Sequence, residues 1–452
     1  MLHTCWKACR GSRAAGRRHY LLVGALLYSC LLILLSGCVS LLSGVNTPTA
    51  QSTLAPLTPM PSPTPTSRPL TTDSEIAQAL VQGMSLNQKL GQMVISEFQG
   101  ATLSSDLLQM IRGNQISGVL IENKNGNAQT RNQLINLNKA MQGQATIPLL
   151  ISTDFEGGLV NELRLITGER ASETTIGATG NPQVAYNAGL AAASDLKALG
   201  LNVNYMPIVD VLTNANNPGL VDRTFGNNPT LVTNMGRAYL KGLTAGGVIG
   251  SLKHFPGLGS ANVDPHYSLP YMNRSIATMN NVDFVPYRTL IGEGLVPMVM
   301  VTHILNPQLD PTLPTSLSPK VVTDLLRTQL KFQGVIISDT LWMGGISNTY
   351  NLSQAAVLAV NAGTNLILGP RSVAEDASMI AGLKKAVTAG TVSLSKINTS
   401  VQLILEMKLH YKILSHEKAL QIIGAAGGTP TANSTAIHST DTAFCADVRK
   451  IV

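Results

Sequence analysis

The chain has 452 residues, 44% of them apolar and only 4% aromatic, and its formal net charge is +7. This length is enough for a large buried core. The leader before residue 38 holds five basic residues and no acidic one, so the rest of the chain carries 27 basic against 25 acidic residues. A net charge this small excludes a nucleic-acid-binding protein and a polybasic protein.

The first 37 residues are predicted to be an export signal. Basic residues precede the apolar run YLLVGALLYSCLLILL, Tyr20 to Leu35, and small residues follow it, which is the order typical of a signal peptide. The sequence LSGC, Leu35 to Cys38, resembles the bacterial lipobox, and this resemblance implies that a lipid on Cys38 anchors the protein to a membrane. An uncleaved apolar anchor is the alternative, although the run is slightly short for a membrane span. Both alternatives place the catalytic part outside the cytoplasm, anchored to the cell membrane.

Segments of biased composition flank the central part of the chain. Residues 38–73 are rich in Pro, Ser and Thr, which predicts a solvated linker. Residues 424–452 are similar in kind, and we expect them to form a disordered tail. Only Cys445 remains of the five cysteines if the leader is removed and Cys38 is lipidated, so a disulfide framework is excluded. The block between these segments, residues 74–423, is predicted to be a single catalytic domain.

Short apolar, β-branched runs alternate with longer amphipathic stretches in this block, as is typical of βα units around a parallel sheet. Eight such runs predict an α/β fold, a (β/α)8 barrel of the TIM type. A doubly wound sheet is the alternative, but no G-x-G-x-x-G motif follows any run. Helices are predicted between the runs, for example over residues 231–246 and 319–332. The eight runs span residues 92–98, 117–123, 148–154, 202–208, 247–255, 297–303, 334–339 and 364–369.

Titratable residues end several of the predicted strands. In a barrel of this type the active site lies at the carboxyl ends of the strands. One charged residue there is more often a cap or a satisfied rim group, but four strands of eight end in this way, and unpaired buried charge is costly. These positions therefore predict an active site. They are Asp154 with Glu156 just beyond it, Lys253 with His254, His303, and Asp339.

Three classes of enzyme fit Asp, His and Lys side chains at a barrel mouth. A metal hydrolase is disfavoured because neither an H-x-H nor an H-E-x-x-H motif occurs. An aldolase of the Schiff-base type needs a neutral lysine, whereas His254 and the nearby carboxylates favour the charged form of Lys253. A glycosidase, which needs a carboxylate nucleophile and a separate proton donor, is the third class.

Seven motifs occur in order between Met84 and Gly369. They are MSLNQKLGQM at 84–93, STDFEGGLV at 152–160, NVNYMPIVDV at 202–211, DRTFG at 222–226, KHFPGLG at 253–259, DPHYSLP at 264–270 and ISDTLWM at 337–343. As a set they resemble the family 3 glycoside hydrolases, in particular the β-N-acetylglucosaminidase branch, which uses a barrel domain. The resemblance implies a glycosidase that acts on a carbohydrate and uses no metal and no organic cofactor.

The resemblance also implies roles for three residues of these motifs. In this branch the aspartate of the S-D-x-L-x-M motif, here Asp339, is the nucleophile, and a mobile loop carrying D-x-H supplies the proton donor, here His266. Asp264 would orient the imidazole, as the acidic member of a catalytic triad does, and an imidazole exchanges protons near neutral pH. These roles imply a retaining displacement through a covalent glycosyl-enzyme, with transfer to phosphate instead of water as an open variant.

Four further residues correspond to contacts with the hydroxyls of the bound sugar. Each has a structural alternative, an ion pair at the rim, and Lys253 with Asp339 is one candidate pair. The expected partners are a carbohydrate substrate and a membrane, without nucleic acid, and we expect a monomer. The four residues are Asp154, Arg223, Lys253 and His254.

Several positions depart from the family pattern, among them Leu258, Asn365 and two substitutions of arginine. Leu159 and Glu162 stand where the family motif EGGRVxRL has arginines, and the reversed charge at Glu162 predicts altered sugar binding. The nucleophile and the proton donor are retained, which favours an active enzyme over a non-catalytic glycan-binding barrel. A β-glucosidase of the same family is the other alternative, but that branch takes its acid/base from a second α/β domain, for which the residues after Gly369 leave no room. We therefore predict a β-N-acetylhexosaminidase that removes N-acetylglucosamine from glycans or peptidoglycan fragments.

Overall fold

The computed structural model of the chain describes residues 67–427 and 431–433. Eight parallel strands form the central sheet, and each lies within one of the eight apolar runs of the sequence. Both faces of such strands are buried, one by the barrel interior and one by the surrounding helices, which explains why the runs are continuously apolar. The strands are β1 Val94–Glu97, β2 Gly118–Ile121, β3 Leu150–Thr153, β4 Val203–Asn204, β5 Ile249–Phe255, β6 Met298–Val301, β7 Val335–Ser338 and β8 Ile367–Leu368.

The strand order closes this sheet into a barrel. Each strand from β1 to β6 is hydrogen-bonded to its successor, and β8 pairs with β1. Between β7 and β8 a bridge joins Ile337 to Leu366, and the Ser338 N–H donates to the carbonyl oxygen of Leu366. The predicted (β/α)8 barrel is confirmed, and a doubly wound sheet is excluded because its two edges would remain unpaired.

Helices follow most of the strands, and many begin at a side chain that caps their free N–H groups. Asn228, for example, accepts from two backbone N–H groups of the helix that starts at Pro229. The helices predicted over residues 231–246 and 319–332 are both present, the second as a π-helix. The α-helices are Asp73–Gly83, Leu86–Gly91, Ser105–Leu108, Arg131–Gln144, Arg164–Thr167, Glu173–Ala178, Pro182–Leu199, Pro229–Ala245, Ile276–Asn281, Phe284–Gly292, Gly344–Ser347, Leu352–Ala362, Val373–Thr388, Leu394–His410 and His416–Ala425. Gln109–Gly113 and Lys320–Gln329 are π-helical, and Asn123–Asn125 and Thr315–Leu317 form 3-10 turns.

Two small antiparallel pairs accompany the barrel. Phe155–Gly157 pairs with Val160–Asn161 directly after β3, and the hairpin leads into Glu162. Ser67–Pro69 pairs with Thr431–Asn433. The first pair matters for function, because it turns the chain back over the carboxyl end of the barrel.

Several predictions about domain organisation lie outside the described residues. They concern the export signal at 1–37, the lipid site Cys38, most of the linker at 38–73 and most of the tail at 424–452. In the part of the chain that the structure describes, no helix is both long and apolar enough to cross a membrane.

Candidate active site

A cavity of about 210 Å³ lies at the carboxyl ends of the barrel strands. A larger cavity, of about 420 Å³, lies beside the opposite ends of β6 and β7, and none of its described lining residues is a carboxylate. The carboxylates therefore place the candidate site in the smaller cavity. Its lining includes every residue that the sequence predicts for catalysis or sugar binding, namely Asp154, Arg223, Lys253, His254, Asp264, His266 and Asp339.

Asp339 follows β7 and is only 9% exposed. The Thr302 hydroxyl donates to its Oδ2 at 2.8 Å, and the backbone N–H of Thr340 donates to its Oδ1 at 2.9 Å. Burial alone would raise the pKa of Asp339, but three nearby imidazoles, with His303 the strongest, and the Thr302 hydroxyl outweigh burial, so the pKa is lowered overall. Asp339 is therefore held as a carboxylate, which is the form that a nucleophile needs.

The segment from Asp264 to His266 is a tight turn that presents an imidazole to the cavity. Asp264 Oδ1 accepts from the backbone N–H of His266 at 2.9 Å and lies 2.7 Å from His266 Nδ1. The His266 side chain remains 49% exposed. Because Nδ1 is engaged by the carboxylate, Nε2 is the nitrogen that can reach a substrate. The geometry is that of an oriented proton donor and acceptor.

Two buried cations share one carboxylate beside this cavity. Glu156 accepts from Arg223 Nε and Nη2 at 2.8 and 2.9 Å and from Lys253 Nζ at 2.6 Å. Burial would raise the pKa of Glu156, but the two cations lower it to about 2. Lys253 also donates to Asp154 Oδ1 at 2.5 Å. Burial would lower the pKa of Lys253, but these two carboxylates raise it, so Lys253 is charged and its partners are Asp154 and Glu156 and not Asp339.

His254, near the end of β5, and His303, which follows β6, have different surroundings. His254 lines the cavity, and its Nδ1 lies 2.7 Å from Asp210 Oδ2, which orients the ring. His303 is fully buried and is not a lining residue of this cavity, and its Nδ1 lies 2.7 Å from the Ser316 hydroxyl. Burial lowers the pKa of His303. His303 is thus a hydrogen-bonded core group beside Asp339, and it does not face the cavity.

Other lining side chains were not selected from the sequence. Glu122, Lys124 and Trp342 all line the cavity. Two of them could have been selected from the sequence, because Glu122 follows β2 and Trp342 lies in the ISDTLWM motif. Nothing in the sequence indicates Lys124, which lies in a turn. Of the two substitutions of arginine, Glu162 lines the cavity, while Leu159 is 64% exposed and does not.

The chemistry available at this cavity is nucleophilic and acid–base chemistry. It combines a carboxylate of lowered pKa with an exposed imidazole that is paired to a second carboxylate. Among the described residues, no three His, Cys, Asp or Glu side chains converge as the ligands of a metal ion would. A nucleophile and a separate proton donor are the two groups that glycoside hydrolysis requires.

Comparison with known families decides the relationship. Residues 85–407 match the family described as glycosyl hydrolase family 3 N terminal domain. The chain belongs to glycosyl hydrolase family 3. The family predicted from the seven motifs is thereby confirmed. The prediction that the protein is a glycosidase is confirmed as well. All the predicted catalytic and sugar-binding residues lie within the matched part of this family 3 chain.

Relatives of this family 3 chain include proteins named as β-hexosaminidases. The chain is 33% identical over 359 residues to beta-hexosaminidase A of Pseudoalteromonas piscicida, an alignment that covers 73% of this chain but only 59% of that relative. It is 30% identical over 373 residues to beta-hexosaminidase LpqI of Mycobacterium tuberculosis, which covers 80% of this chain and 92% of the relative. Among solved structures, a family 3 β-N-acetylglucosaminidase from Paenibacillus sp. str. FPU-7 matches with a TM-score of 0.70 and 31% identity, covering 76% of this chain and 68% of that one.

Proposed function

We propose that the chain is a retaining β-N-acetylhexosaminidase that removes β-linked N-acetylglucosamine from glycans. The observation that carries this proposal is that a buried, ionised Asp339 and the hydrogen-bonded Asp264–His266 pair line one cavity at the mouth of the barrel. The similarity to β-hexosaminidases and to a β-N-acetylglucosaminidase supports the choice of sugar.

In the first step of the proposed reaction, Asp339 attacks the anomeric carbon. One carboxylate oxygen forms a bond to that carbon while the bond to the leaving oxygen breaks, and Nε2 of His266 gives its proton to the leaving oxygen. Asp264 stabilises the imidazolium that exists before this transfer. The products are a glycosyl ester of Asp339 and the released part of the glycan.

In the second step, water hydrolyses the ester. The neutral imidazole of His266 takes a proton from the water, the water oxygen bonds to the anomeric carbon, and Asp339 leaves as a carboxylate. Two displacements at one carbon retain its configuration. A neutral imidazole repels an incoming anion less than a carboxylate would, so phosphate is an acceptor that should be tested beside water.

Binding of the sugar is assigned to the buried polar groups beside the nucleophile. Asp154, Arg223 and Lys253 have their charges balanced by protein partners. His254 is hydrogen-bonded to Asp210, and all four sugar-binding candidates line the cavity. Hydroxyl groups of the substrate would complete their hydrogen bonds, and a substrate that lacked such a hydroxyl would leave them unpaired.

The proposal also places the enzyme outside the cytoplasm, as a monomer anchored to the cell membrane through a lipid on Cys38 or through an apolar anchor. The basic leader, the apolar run and the LSGC sequence support this location. Peptidoglycan fragments are then a natural class of glycan to test, since they contain N-acetylglucosamine and lie outside the cytoplasmic membrane.

Hydrolysis of chromogenic β-N-acetylglucosaminide and β-glucoside tests the proposal. We expect turnover of the acetylated sugar, a loss of roughly 10⁴-fold or more in Asp339→Asn, and a loss of about 10² to 10⁴-fold in His266→Ala. His416→Ala is a matched control, because His416 is 48% exposed and also lies 2.6 Å from an aspartate oxygen but does not line this cavity. Its activity should equal that of the wild type.

The product and the substrate preference separate this function from its alternatives. Release of the β-anomer, followed by NMR, supports the retaining mechanism, and release of the α-anomer contradicts it. Preference for the glucoside would place the chain with the β-glucosidases. A folded protein that binds glycan without turnover would be a non-catalytic glycan-binding barrel.

A further inference from the structure

One wall of the cavity is built from carboxylates that none of the proposed catalytic steps uses. We define this acidic wall as Glu97, Glu122 and Glu162. Glu97 ends β1, Glu122 follows β2, and Glu162 follows the hairpin after β3, so the three side chains come from consecutive units of the barrel. Glu122 and Glu162 line the cavity directly.

Two of the three carboxylates are fully engaged by the protein. Glu97 accepts from the indole N–H of Trp342, and its second oxygen accepts from Asn125 Nδ2 at 3.1 Å. Glu122 accepts from the same Asn125 amide at 2.9 Å and pairs with Lys124 at 2.8 Å. Each carboxylate oxygen of these two residues therefore already has a protein partner.

Glu162 differs from the other two because half of its carboxylate is unused. Its Oε2 accepts from the backbone N–H of Asn123 at 2.7 Å. Among the described residues, Oε1 has no hydrogen-bond partner, although the side chain lines the cavity and is only half-exposed. A polar oxygen in this position is open to a hydrogen-bond donor of the substrate.

The charges around Glu162 favour a donor and disfavour an anion. Burial raises the pKa of Glu162, and the carboxylates of Asp154 and Glu156 add to this effect, while the Asn123 N–H and Lys124 oppose it. Burial and the neighbouring Glu97 raise the pKa of Glu122 to about 9, so at neutral pH the negative charge of the acidic wall lies on Glu97 and Glu162. Lys124, which lines the cavity next to this wall, lies 2.8 Å from Glu122. An anionic substituent beside Glu162 would therefore meet the like charges of the Glu162 and Asp154 carboxylates.

The contact between Glu162 and Asp154 indicates which part of the substrate Glu162 would contact. Its backbone N–H donates to the carbonyl oxygen of Asp154 at 3.2 Å, so it lies beside a group assigned to the sugar that becomes attached to Asp339. The Asp264–His266 pair, which serves the leaving group, belongs to a different loop. The contact with Asp154 therefore favours a role of Glu162 toward the transferred sugar.

We propose that Glu162 is a specificity-determining residue that accepts a hydroxyl of the transferred sugar and rejects sugars that carry a sulfate, phosphate or carboxylate on that side. The assignment of the transferred sugar rests on the proposed function. A hydroxyl supplies the donor that Oε1 lacks, whereas an anion both leaves Oε1 unpaired and meets like charge. The substrate class is therefore a neutral, and not an acidic, terminal hexosamine.

The experiment compares two ligands that differ in one charged group, N-acetylglucosamine and N-acetylglucosamine 6-sulfate. Binding to the full chain is measured by calorimetry at neutral pH, and turnover is measured with the fluorogenic umbelliferyl glycosides of the same two sugars. Glu162→Gln keeps the size and one acceptor oxygen but removes the charge, and Glu162→Arg reverses the charge. Glu169→Gln is the control, because Glu169 is a 72% exposed glutamate outside this cavity.

The wild type and Glu169→Gln should prefer the neutral sugar, and Glu162→Gln should reduce this preference by about tenfold or more, since it removes repulsion without changing shape. Glu162→Arg should reduce it further. An unchanged preference in the folded Glu162→Gln variant overturns the inference, because the size of the sulfate group, and not its charge, would then exclude the sulfated sugar. If no protein hydrolyses either glycoside but the binding preference still follows the charge at position 162, the proposed function fails and the role of Glu162 stands.

Discussion

Glu156 lies behind the sugar-binding groups and contacts two of them. Its buried carboxylate holds Arg223 through two hydrogen bonds and Lys253 through a third. Removing one member of a buried ion pair costs about 3 to 5 kcal/mol, because the remaining charge stays buried without its partner. Glu156 therefore acts on a substrate through the positions of Arg223 and Lys253. It is a positioning residue.

We expect Glu156→Gln to lower the free energy of unfolding by about 2 to 4 kcal/mol, less than a full loss because Asp154 still pairs with Lys253. It should also raise KM for the N-acetylglucosaminide by about tenfold, with a smaller effect on kcat, because Asp339 and His266 keep their own partners. Urea denaturation and steady-state kinetics measure the two effects.

Glu173 supplies the control for this prediction. It is also buried, one oxygen accepts from the backbone N–H of Ile208 at 2.9 Å, and burial raises its pKa well above the ordinary value. A carboxyl group that is already neutral resembles an amide in charge and shape, so Glu173→Gln should leave stability and kinetics almost unchanged. Equal losses in both variants, or a fall in kcat alone in Glu156→Gln, would contradict the role given to Glu156.

At this scale the sequence predicts residue positions better than it predicts their partners. Asp154, Lys253 and Asp339 could be selected because each ends a strand of a barrel, where active sites lie. The same rule points to Glu122, which follows β2. The partner of Glu162 could not be predicted, because the N–H of Asn123 lies 39 positions earlier in the chain and comes close only through the packing of two loops.

At the scale of elements, the turn that carries His266 is attached to the short helix Gly344–Ser347. The Gly344 N–H donates to the carbonyl oxygen of His266 at 2.9 Å, and Asn348 Nδ2 donates to that of Tyr267 at 3.1 Å. Gly344 must be glycine for this approach, because a Cβ atom there would lie 2.2 Å from the Tyr267 carbonyl oxygen. The helix thereby holds the backbone of the turn that carries the His266 imidazole.

We expect Gly344→Ala to push this turn outward and to lower kcat by about 100-fold, the typical cost of a displacement near 1 Å in a catalytic group. KM should change less, because the groups assigned to sugar binding lie on other loops. Steady-state kinetics with the N-acetylglucosaminide measure both constants, and circular dichroism checks that the variant is folded.

The control is Gly143→Ala, at a helical position where no atom lies within 4 Å of the added Cβ. It should keep full activity and gain up to about 1 kcal/mol of stability, since alanine favours a helix more than glycine does. A folded Gly344→Ala variant with unchanged kcat would show that the helix does not position His266.

This attachment also marks what the sequence leaves out at the element scale. The motifs DPHYSLP and ISDTLWM are both visible in the sequence, and the resemblance assigns them a proton donor and a nucleophile. Their contact joins loops that follow different strands, so neither motif predicts it alone. The order of the sheet, in which β5, β6 and β7 are neighbours, brings the two loops together.

At the scale of the whole molecule, the eight apolar runs predict the eight strands, because burial on both faces leaves a continuous apolar signal. The strand lengths are less predictable. β4 contains only Val203 and Asn204, although its run spans seven residues. The Asn204 side chain bonds the backbone N–H and C=O of Phe155 at 3.1 and 3.2 Å, so side-chain bonds replace the ladder there.

The amino end of the barrel contains a buried charge-bearing group that has no role in the site. Lys408, in the helix Leu394–His410, is fully buried and donates to Gln92 Oε1 at 3.1 Å and to the carbonyl oxygen of Ser117 at 3.0 Å. Both partners are neutral, and they lie two residues before β1 and one residue before β2. Burial without a counter-ion lowers the pKa of Lys408 to about 7.

This lysine makes the stability of the whole barrel depend on pH. The pKa of Lys408 falls from 10.5 to about 7 on folding, so between these values the unfolded chain binds more protons, and stability rises as the pH rises through that window. Lys408→Met removes the titrating group. The variant also lacks the two hydrogen bonds of Lys408, which changes the free energy of unfolding by an amount that does not depend on pH. Wild-type stability relative to Lys408→Met, measured by urea denaturation, should therefore increase from pH 7 toward pH 10.5 by as much as about 4 to 5 kcal/mol. A difference that stays constant over this range would show that the ammonium group remains charged in the folded barrel.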